Sequence, residues 1–128
     1  MERDTLYLIW LDNDKNKYKV AEVYKEENKY YFKYRLDDVR KAEKNGFKLL
    51  VSFPTINAIY ENLELFPVFA ARVPDRRRPE IKKILETYNM TEYSEFELLK
   101  RSKGKLPTDD YEFEQGWHFK TSILIRKC

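Results

Sequence analysis

The chain has 128 residues and a formal net charge of +3, from 25 basic and 22 acidic side chains. This length predicts one domain, residues 1–128, that buries a core without disulfide or metal staples. Aromatic residues make up 16% of the chain, which excludes the disordered class. The small positive excess permits a local basic patch but does not by itself indicate a nucleic-acid-binding protein.

Cysteine use and the start of the chain predict its compartment. Cys128 is the only cysteine, so the sequence offers neither a disulfide framework nor a cysteine metal site. We therefore expect a reducing cytoplasm. Three of the first four residues carry charged side chains and the apolar run 6–11 is short, so we expect no signal peptide and no membrane span.

The first third of the sequence has the pattern of an antiparallel meander. Residues 5–11 are apolar on both faces and rich in β-formers, and residues 18–25 and 29–35 alternate between apolar and polar. Short polar turns at 12–17 and 26–28 separate these segments. Three strands joined in this way form a meander.

The next segments predict a helix and a fourth strand. Residues 37–45 have helical character, with Asp37 or Asp38 as the cap and Gly46 as a left-handed terminator. Residues 47–52 read as a strand that Pro54 ends. The signal at 57–63 is mixed, and both helical turns and a loop stay open.

Three helices are expected after residue 65. Pro67 suits the first position of a short helix at 66–73. The clearest helix is 79–88, where apolar residues recur at i, i+3, i+4 and i+7, and Asn89 is its expected left-handed stop.

Thr91 or Ser94 is expected to cap the third of these helices, and Gly104 ends it. Two closing strands follow, at 111–114 and 117–126. The sum is an α+β fold, in which an antiparallel β-meander packs against two to four helices with a C-terminal β return.

The sequence offers no recognisable reaction centre. Asp12, Asp14 and Asn16 have the spacing that opens a calcium loop, but the glycine and glutamate that complete it are absent, so a hairpin turn is the better interpretation. His118 has no partner for zinc or for base catalysis, and Cys128 is terminal. With three glycines there is no phosphate-binding loop. We expect no enzyme activity, no cofactor and no metal.

Basic residues concentrate between positions 72 and 105, within a stretch (65–114) whose apolar residues close over the meander. The predicted core positions are Phe66, Val68, Phe69, Ile81, Ile84, Leu85, Phe96, Leu98 and Leu99. The basic residues are Arg72, Arg76, Arg77, Arg78, Lys82, Lys83, Lys100, Arg101, Lys103 and Lys105. Three interpretations stay open: a solvated or internally paired surface, a protein contact, and a nucleic-acid contact.

The order of short motifs resembles the N-terminal subdomain of HipA-type kinases, which also occurs as a separate small protein, HipS, in three-component toxin–antitoxin systems. The segments that carry the likeness are LYLIW at 6–10, VAEV at 20–23, YFKY at 31–34, LVSFP at 50–54, LFPVF at 65–69, VPD at 73–75 and FELL at 96–99. Bacterial proteins that continue into a HIRAN-type module have a similar opening. The resemblance implies a bacterial α+β module that packs on a kinase core and has no catalytic residues.

Two hypotheses about function follow. In the first, the chain is an antitoxin-like protein-binding module that regulates or masks a HipA-type kinase partner. Its predicted contact residues are Phe66, Arg72, Asp75, Arg76, Arg77, Arg78 and Arg101. In the alternative, it is a nucleic-acid-binding accessory domain that uses basic residues of 76–78 and 100–105. The residues assigned to that role are Arg76, Arg77, Arg78, Lys82, Lys83 and Lys103. The oligomeric state and the role of residues 117–128 stay open.

Overall fold

The structure, a computed structural model, describes residues 3–116. Strands and helices follow in the order β1 (Asp4–Leu11), β2 (Lys17–Glu26), β3 (Lys29–Tyr34), α1 (Leu36–Glu43), β4 (Tyr60–Asn62), α2 (Pro67–Ala70), α3 (Ile81–Thr87), α4 (Glu95–Ser102) and β5 (Tyr111–Gln115). The predicted closing strand 117–126, His118 and Cys128 lie outside the described residues.

The strands form a five-stranded antiparallel sheet in the order β4-β3-β2-β1-β5. The meander of β1, β2 and β3 is confirmed, and β5 returns beside β1, where Phe113 lies opposite Leu8. With the four helices, the α+β prediction is confirmed. A register shift between Leu8 and Ile9 marks a bulge in the β1–β2 pair.

The first hairpin turn is closed by Asp12. One of its carboxylate oxygens, Oδ1, accepts hydrogen bonds of 2.9 Å from the backbone N–H groups of both Asp14 and Asn16. Such self-bonding is the reason that Asp and Asn favour turns. The structure therefore agrees with the hairpin-turn interpretation of this segment.

The core lies between one face of the sheet and the helices. Leu6, Leu8 and Phe32 on the strands are at most 1% exposed, and they join one cluster with side chains from α1, α2 and α4. Aromatic rings fill its centre, where Phe32 stacks on Phe53 with ring centroids 3.8 Å apart. Close packing of large rings fixes how α2 sits on the sheet.

Most of the core predicted in the 65–114 stretch is buried, but three positions are not fully so. Phe69, Leu98 and Leu99 are at most 2% exposed. Val68 is 37% exposed, and Ile81 and Ile84 on α3 are half-buried. The short helices α2 and α3 cover the core with one or two side chains rather than with a continuous stripe.

Two predictions between residues 35 and 52 were wrong. The first residue of α1 follows Arg35, and no side chain caps it; Asp38 instead accepts a 2.8 Å hydrogen bond from Arg35 Nε. Residues 47–52 form no strand, because Leu50 N–H bonds to the Tyr34 hydroxyl at 2.9 Å and Phe53 N–H closes a turn on Leu50. Because these two backbone N–H groups already donate within the turn, they cannot donate to a neighbouring strand of the sheet.

The mixed segment 57–63 contains the edge strand β4, which pairs with β3 through Tyr60 and Asn62. The loop alternative holds for 57–59 and for residue 63, and it is wrong for the three residues of β4. The remaining helix predictions hold with shifted ends: Pro67 is the first residue of α2, and Ser94 Oγ caps α4 by accepting a 3.2 Å bond from Glu97 N–H.

Gly46 and Asn89 follow α1 and α3 with positive φ angles of 106° and 59°, as expected. Helix α4 differs from the prediction, because the left-handed residue at its C-terminal cap is Lys103, with a φ of 67°, and Gly104, with a φ of 57°, comes after it. Within residues 3–116, no helix has both the length and the apolar character needed to cross a bilayer.

A braced arginine loop as the candidate binding site

The candidate site is the arginine loop, which we define as residues 74–80. It follows the turn after α2 and leads into α3. Asp75 organises it, because its Oδ1 accepts a 2.7 Å bond from Arg77 N–H and its carbonyl accepts a 3.1 Å bond from Arg78 N–H. Prolines at both ends narrow the backbone conformations of the segment. The loop is therefore a formed turn rather than a free linker.

Tyr93, in the connection between α3 and α4, contacts the arginine loop at two points and holds it in place. Its hydroxyl donates a 2.6 Å hydrogen bond to the Pro74 carbonyl, and the guanidinium carbon of Arg76 lies 4.9 Å from its ring centroid. Burial raises the pKa of the Tyr93 hydroxyl, which keeps it protonated and donating at neutral pH. A cation over an aromatic face contributes about 0.5–1 kcal/mol at an exposed site.

The other two arginines pair locally but stay accessible. Arg77 Nε lies 3.0 Å from Asp75 Oδ1, and Arg78 Nε lies 3.0 Å from Glu80 Oε1. The side chain of Arg77 is 86% exposed and that of Arg78 is 52% exposed. Hydrogen bonding from the Arg77 side chain lowers the pKa of Asp75 to about 2, so Asp75 is charged at neutral pH. Exposed pairs of this kind are weak and exchange readily for another carboxylate.

Arg72, predicted as a partner contact, is instead an internal tether. Its side chain is 8% exposed, and its Nη1 and Nη2 each donate a 2.8 Å bond to the Asp109 carboxylate. Nε donates to the Gly104 carbonyl at 2.7 Å, and Nη2 also donates to the Tyr111 carbonyl at 3.2 Å. The guanidinium therefore ties the end of α2 to the strand that closes the sheet. It has no free face to offer a partner.

Phe66 and Arg101 are also engaged within the fold. Phe66 is 8% exposed and packs edge-on against Phe53, with ring centroids 5.2 Å apart. Arg101 donates a 2.6 Å bond to the carbonyl of Tyr88, at the end of α3, and pairs with Glu97 at 3.2 Å. Of the seven predicted partner residues, five remain on an accessible surface: Asp75, Arg76, Arg77, Arg78 and Arg101, whose side chain is 40% exposed.

The basic concentration seen in the sequence divides into paired and unpaired groups. Lys100 is held between Asp4 at 2.8 Å and Glu97 at 2.9 Å, and Lys105 lies 3.3 Å from the buried Glu112. Between residues 72 and 105, the exposed lysines that form no ion pair with another described residue are Lys82, Lys83 and Lys103. Internal pairing thus accounts for a large part of the apparent patch.

The three rings of the aromatic run at 30–32 do not share one face of the sheet. Tyr30 packs toward Phe96 of α4 and Phe32 is 0% exposed in the core, whereas Tyr31 lies on the opposite face of the sheet. Tyr31 stacks there on Tyr24 with ring centroids 5.0 Å apart. The alternation of a strand separates the three rings, so they are strand core and cross-strand pairing.

Tyr93 is the site residue that sequence reasoning missed. It sits in a short polar connection with no periodic pattern, and its partner Pro74 is 19 residues earlier. A lone tyrosine in a connection carries no signal for such a contact. Among residues 3–116 no group of three or more His, Cys, Asp or Glu side chains is arranged to hold a metal ion.

Comparison with protein-family models, with curated proteins and with solved structures found no match to this chain. The likeness to HipA-type kinases therefore stays a prediction from the sequence motifs.

Proposed function

We propose that the chain is a cytoplasmic, non-catalytic protein-binding module that regulates or masks a HipA-type kinase partner, in the manner of an antitoxin. In this proposal the arginine loop contacts acidic groups of the partner. The observation that carries it is the braced loop itself, which presents Arg76, Arg77 and Arg78 on the surface with a fixed backbone.

The energetic argument rests on preorganisation. Ordering a free segment on binding opposes affinity, and a loop that is already fixed avoids much of that loss. Arginine is enriched among the residues that dominate interface energies, and its planar fork suits a carboxylate. Asp75 and Glu80 hold two of the guanidinium groups in place until a partner carboxylate replaces them.

The test is co-expression with a HipA-type catalytic chain encoded in a neighbouring reading frame. We expect the two chains to co-elute and the kinase activity to change when this chain is added. The Arg76→Ala/Arg77→Ala/Arg78→Ala variant should weaken both effects. A matched control, Arg40→Ala/Lys41→Ala/Lys44→Ala, removes the same charge from exposed positions of α1 and its end and should leave both unchanged.

Two results would contradict this proposal. In one, the chain elutes alone and leaves the kinase unaffected. In the other, the α1 control weakens the complex as much as the arginine-loop variant does, which would reduce the effect to net charge.

Nucleic-acid binding is the second candidate, favoured by the unpaired Lys82, Lys83 and Lys103. A plot of the logarithm of the association constant against the logarithm of the salt concentration would then have a negative slope, steeper by about 0.9 for each phosphate that the protein neutralises. A labelled duplex oligonucleotide titrated at several salt concentrations measures that slope. An affinity that does not change with salt, or with Lys82→Ala/Lys83→Ala, would eliminate this candidate.

A further inference from the structure

A concavity of about 510 Å³ lies at the β5 edge of the sheet, and we call it the edge cavity. Its charged lining residues are Lys19 of β2, Lys100 of α4, Lys103 just after that helix, and Glu114 of β5. Three of these four groups are positive. The volume is in the range of small-molecule sites in proteins. The arginine loop contributes no residue to this cavity, so an inference drawn from it does not depend on the proposed function.

Two of the three lysines at the edge cavity carry charges that no described carboxylate neutralises. Lys100 is held by two carboxylates at 2.8 and 2.9 Å, and Glu114 Oε2 lies 3.5 Å from Lys17 Nζ. Lys19 and Lys103 are exposed and form no ion pair with another residue of 3–116. Unpaired charges of one sign around a concavity attract a ligand of the opposite sign. The lining therefore favours an anion.

The edge of β5 adds a backbone donor to the two lysines. Gly116 N–H bonds to the Thr5 carbonyl of β1 at 2.8 Å, whereas Phe113 N–H turns away from β1 and bonds to the Lys103 carbonyl at 2.8 Å. Because the backbone groups of a strand alternate between its two edges, the N–H of Gln115 points to the same side as that of Phe113. On that side no residue of 3–116 accepts it, and Gln115 lines the cavity.

Both lysines extend from backbone whose position is fixed. Lys19 pairs with Ile9 directly beside the bulge in the β1–β2 pair, and its Nζ lies 4.8 Å from the ring centroid of Tyr7, which also lines the cavity. Bulges are common beside binding sites, where they redirect a side chain. Lys103 has a φ of 67°, in the left-handed region that few residues other than glycine and asparagine adopt, and the bond from Phe113 N–H holds it there.

We propose that the edge cavity binds a small phosphorylated sugar or polyol, with its phosphate on Lys19, Lys103 and the Gln115 N–H. Lysine binds phosphate as a point charge, whereas the planar fork of arginine matches a carboxylate. A phosphate monoester carries about 1.5 to 2 negative charges at neutral pH, which two ammonium groups balance.

The rest of the edge cavity selects the organic part of the ligand. A phosphate ion fills only a small part of about 510 Å³. The carboxylate of Glu114 repels an anion but accepts a hydrogen bond from a hydroxyl group. A ligand that carries both a phosphate and hydroxyl groups satisfies both ends of the cavity. Lys82 and Lys83 do not line it, so the site does not require the nucleic-acid candidate either.

An NMR titration of the full chain with ribose 5-phosphate, followed through the backbone amide resonances, tests the proposal. We expect saturable shifts at Lys19, Lys103 and Gln115, with the Gln115 amide proton moving downfield as it donates to the phosphate. Inorganic phosphate should move the same resonances with weaker affinity, and ribose should move none. Each lysine lost should raise the dissociation constant by about tenfold or more, so Lys19→Gln and Lys103→Gln should each weaken binding to that extent.

Two further variants separate binding from folding and from net charge. In Lys103→Gly the new residue adopts a positive φ freely, so the fold should be at least as stable while binding is lost as in Lys103→Gln. The matched control is Lys41→Gln/Lys44→Gln, at exposed positions of α1 and its end that do not line the cavity. It should leave the dissociation constant for ribose 5-phosphate unchanged.

Four outcomes would overturn the proposal. The first is the absence of saturable shifts with ribose 5-phosphate. The second is binding of ribose as tight as that of ribose 5-phosphate, which would remove the role of the phosphate. The third is a set of shifts at the arginine loop instead of the edge cavity. The fourth is an α1 control that weakens binding as much as Lys19→Gln does, which would reduce the effect to net charge.

Discussion

Replacing Arg72 tests whether its side chain stabilises the fold, as the structure indicates, or contacts a partner, as the sequence predicts. Only the first role predicts a loss of unfolding free energy in the isolated chain. In Arg72→Ala, the Asp109 carboxylate loses its counter-ion, and the carbonyls of Gly104 and Tyr111 lose a charged donor. Removing one partner of a buried ion pair costs about 3–5 kcal/mol of unfolding free energy. Asp109 is 34% exposed and can regain some hydration, so we expect the lower end, about 3 kcal/mol.

Urea unfolding at neutral pH measures this loss of unfolding free energy. In thermal unfolding, a loss of about 3 kcal/mol lowers the Tm of a domain of this size by roughly 10 °C. Arg72→Lys keeps the charge but lacks the fork that spans both oxygens of Asp109, so it should lose part of the stability. Arg40→Ala, at an exposed position of α1, is the control and should change the unfolding free energy by less than about 0.5 kcal/mol.

A double-mutant cycle isolates the pair itself. Combining Arg72→Ala with Asp109→Asn should give a coupling energy of at least about 1 kcal/mol. If Arg72→Ala destabilises the protein no more than Arg40→Ala does, the tether does not stabilise the fold. Arg72 would then again be a candidate for the partner contact that the sequence predicts.

Three further predictions concern groups whose surroundings are unusual. Tyr34→Phe leaves the Leu50 N–H without its hydroxyl partner and should cost about 1–3 kcal/mol in urea unfolding; an unchanged midpoint would contradict this. Burial raises the pKa of Glu112, but its lysine neighbours outweigh that effect, and the folded pKa lies below its ordinary value. The wild type should therefore lose stability as pH falls from about 4.3 through the folded pKa, and Glu112→Gln should lack that part of the pH dependence. Gly104→Ala should cost at least about 2 kcal/mol, because φ is +57° and the new Cβ would lie 2.5 Å from Leu99 Cδ1; thermal unfolding at the wild-type Tm would refute the clash.

The parts of the fold with local causes are visible in the sequence. The alternation at 18–25 and 29–35 gives two strands, and the self-bonding of Asp12 gives the turn before them. Left-handed residues such as Gly46 and Asn89 mark the ends of helices because few other residues adopt that conformation. Each of these signals is contained within a few neighbouring residues.

The errors arise where a distant group decides the structure. Residues 47–52 have strand composition, but the hydroxyl of Tyr34, 16 residues before Leu50, takes a backbone donor and bends the segment. Strand β4 has three residues and is defined by pairing with Tyr30 and Phe32, which no local pattern reveals.

The same limit applies to the candidate site. Counting basic residues between 72 and 105 could not show that the carboxylate of Asp109 lies against Arg72, 37 positions away. The sequence did bring attention to 76–78, and the structure leaves those side chains exposed. The sequence pattern could not predict the hydrogen bond from Tyr93 to the Pro74 carbonyl, because that contact depends on how the connection after α3 packs against the arginine loop.

The most direct test of the central claim is the affinity of this chain for the catalytic core of a HipA-type kinase, measured by isothermal titration calorimetry. We expect a saturable complex whose dissociation constant rises by about 30-fold or more in Arg76→Ala/Arg77→Ala/Arg78→Ala. It should be unchanged in Arg40→Ala/Lys41→Ala/Lys44→Ala. An absence of binding, or equal weakening by both variants, would contradict the account.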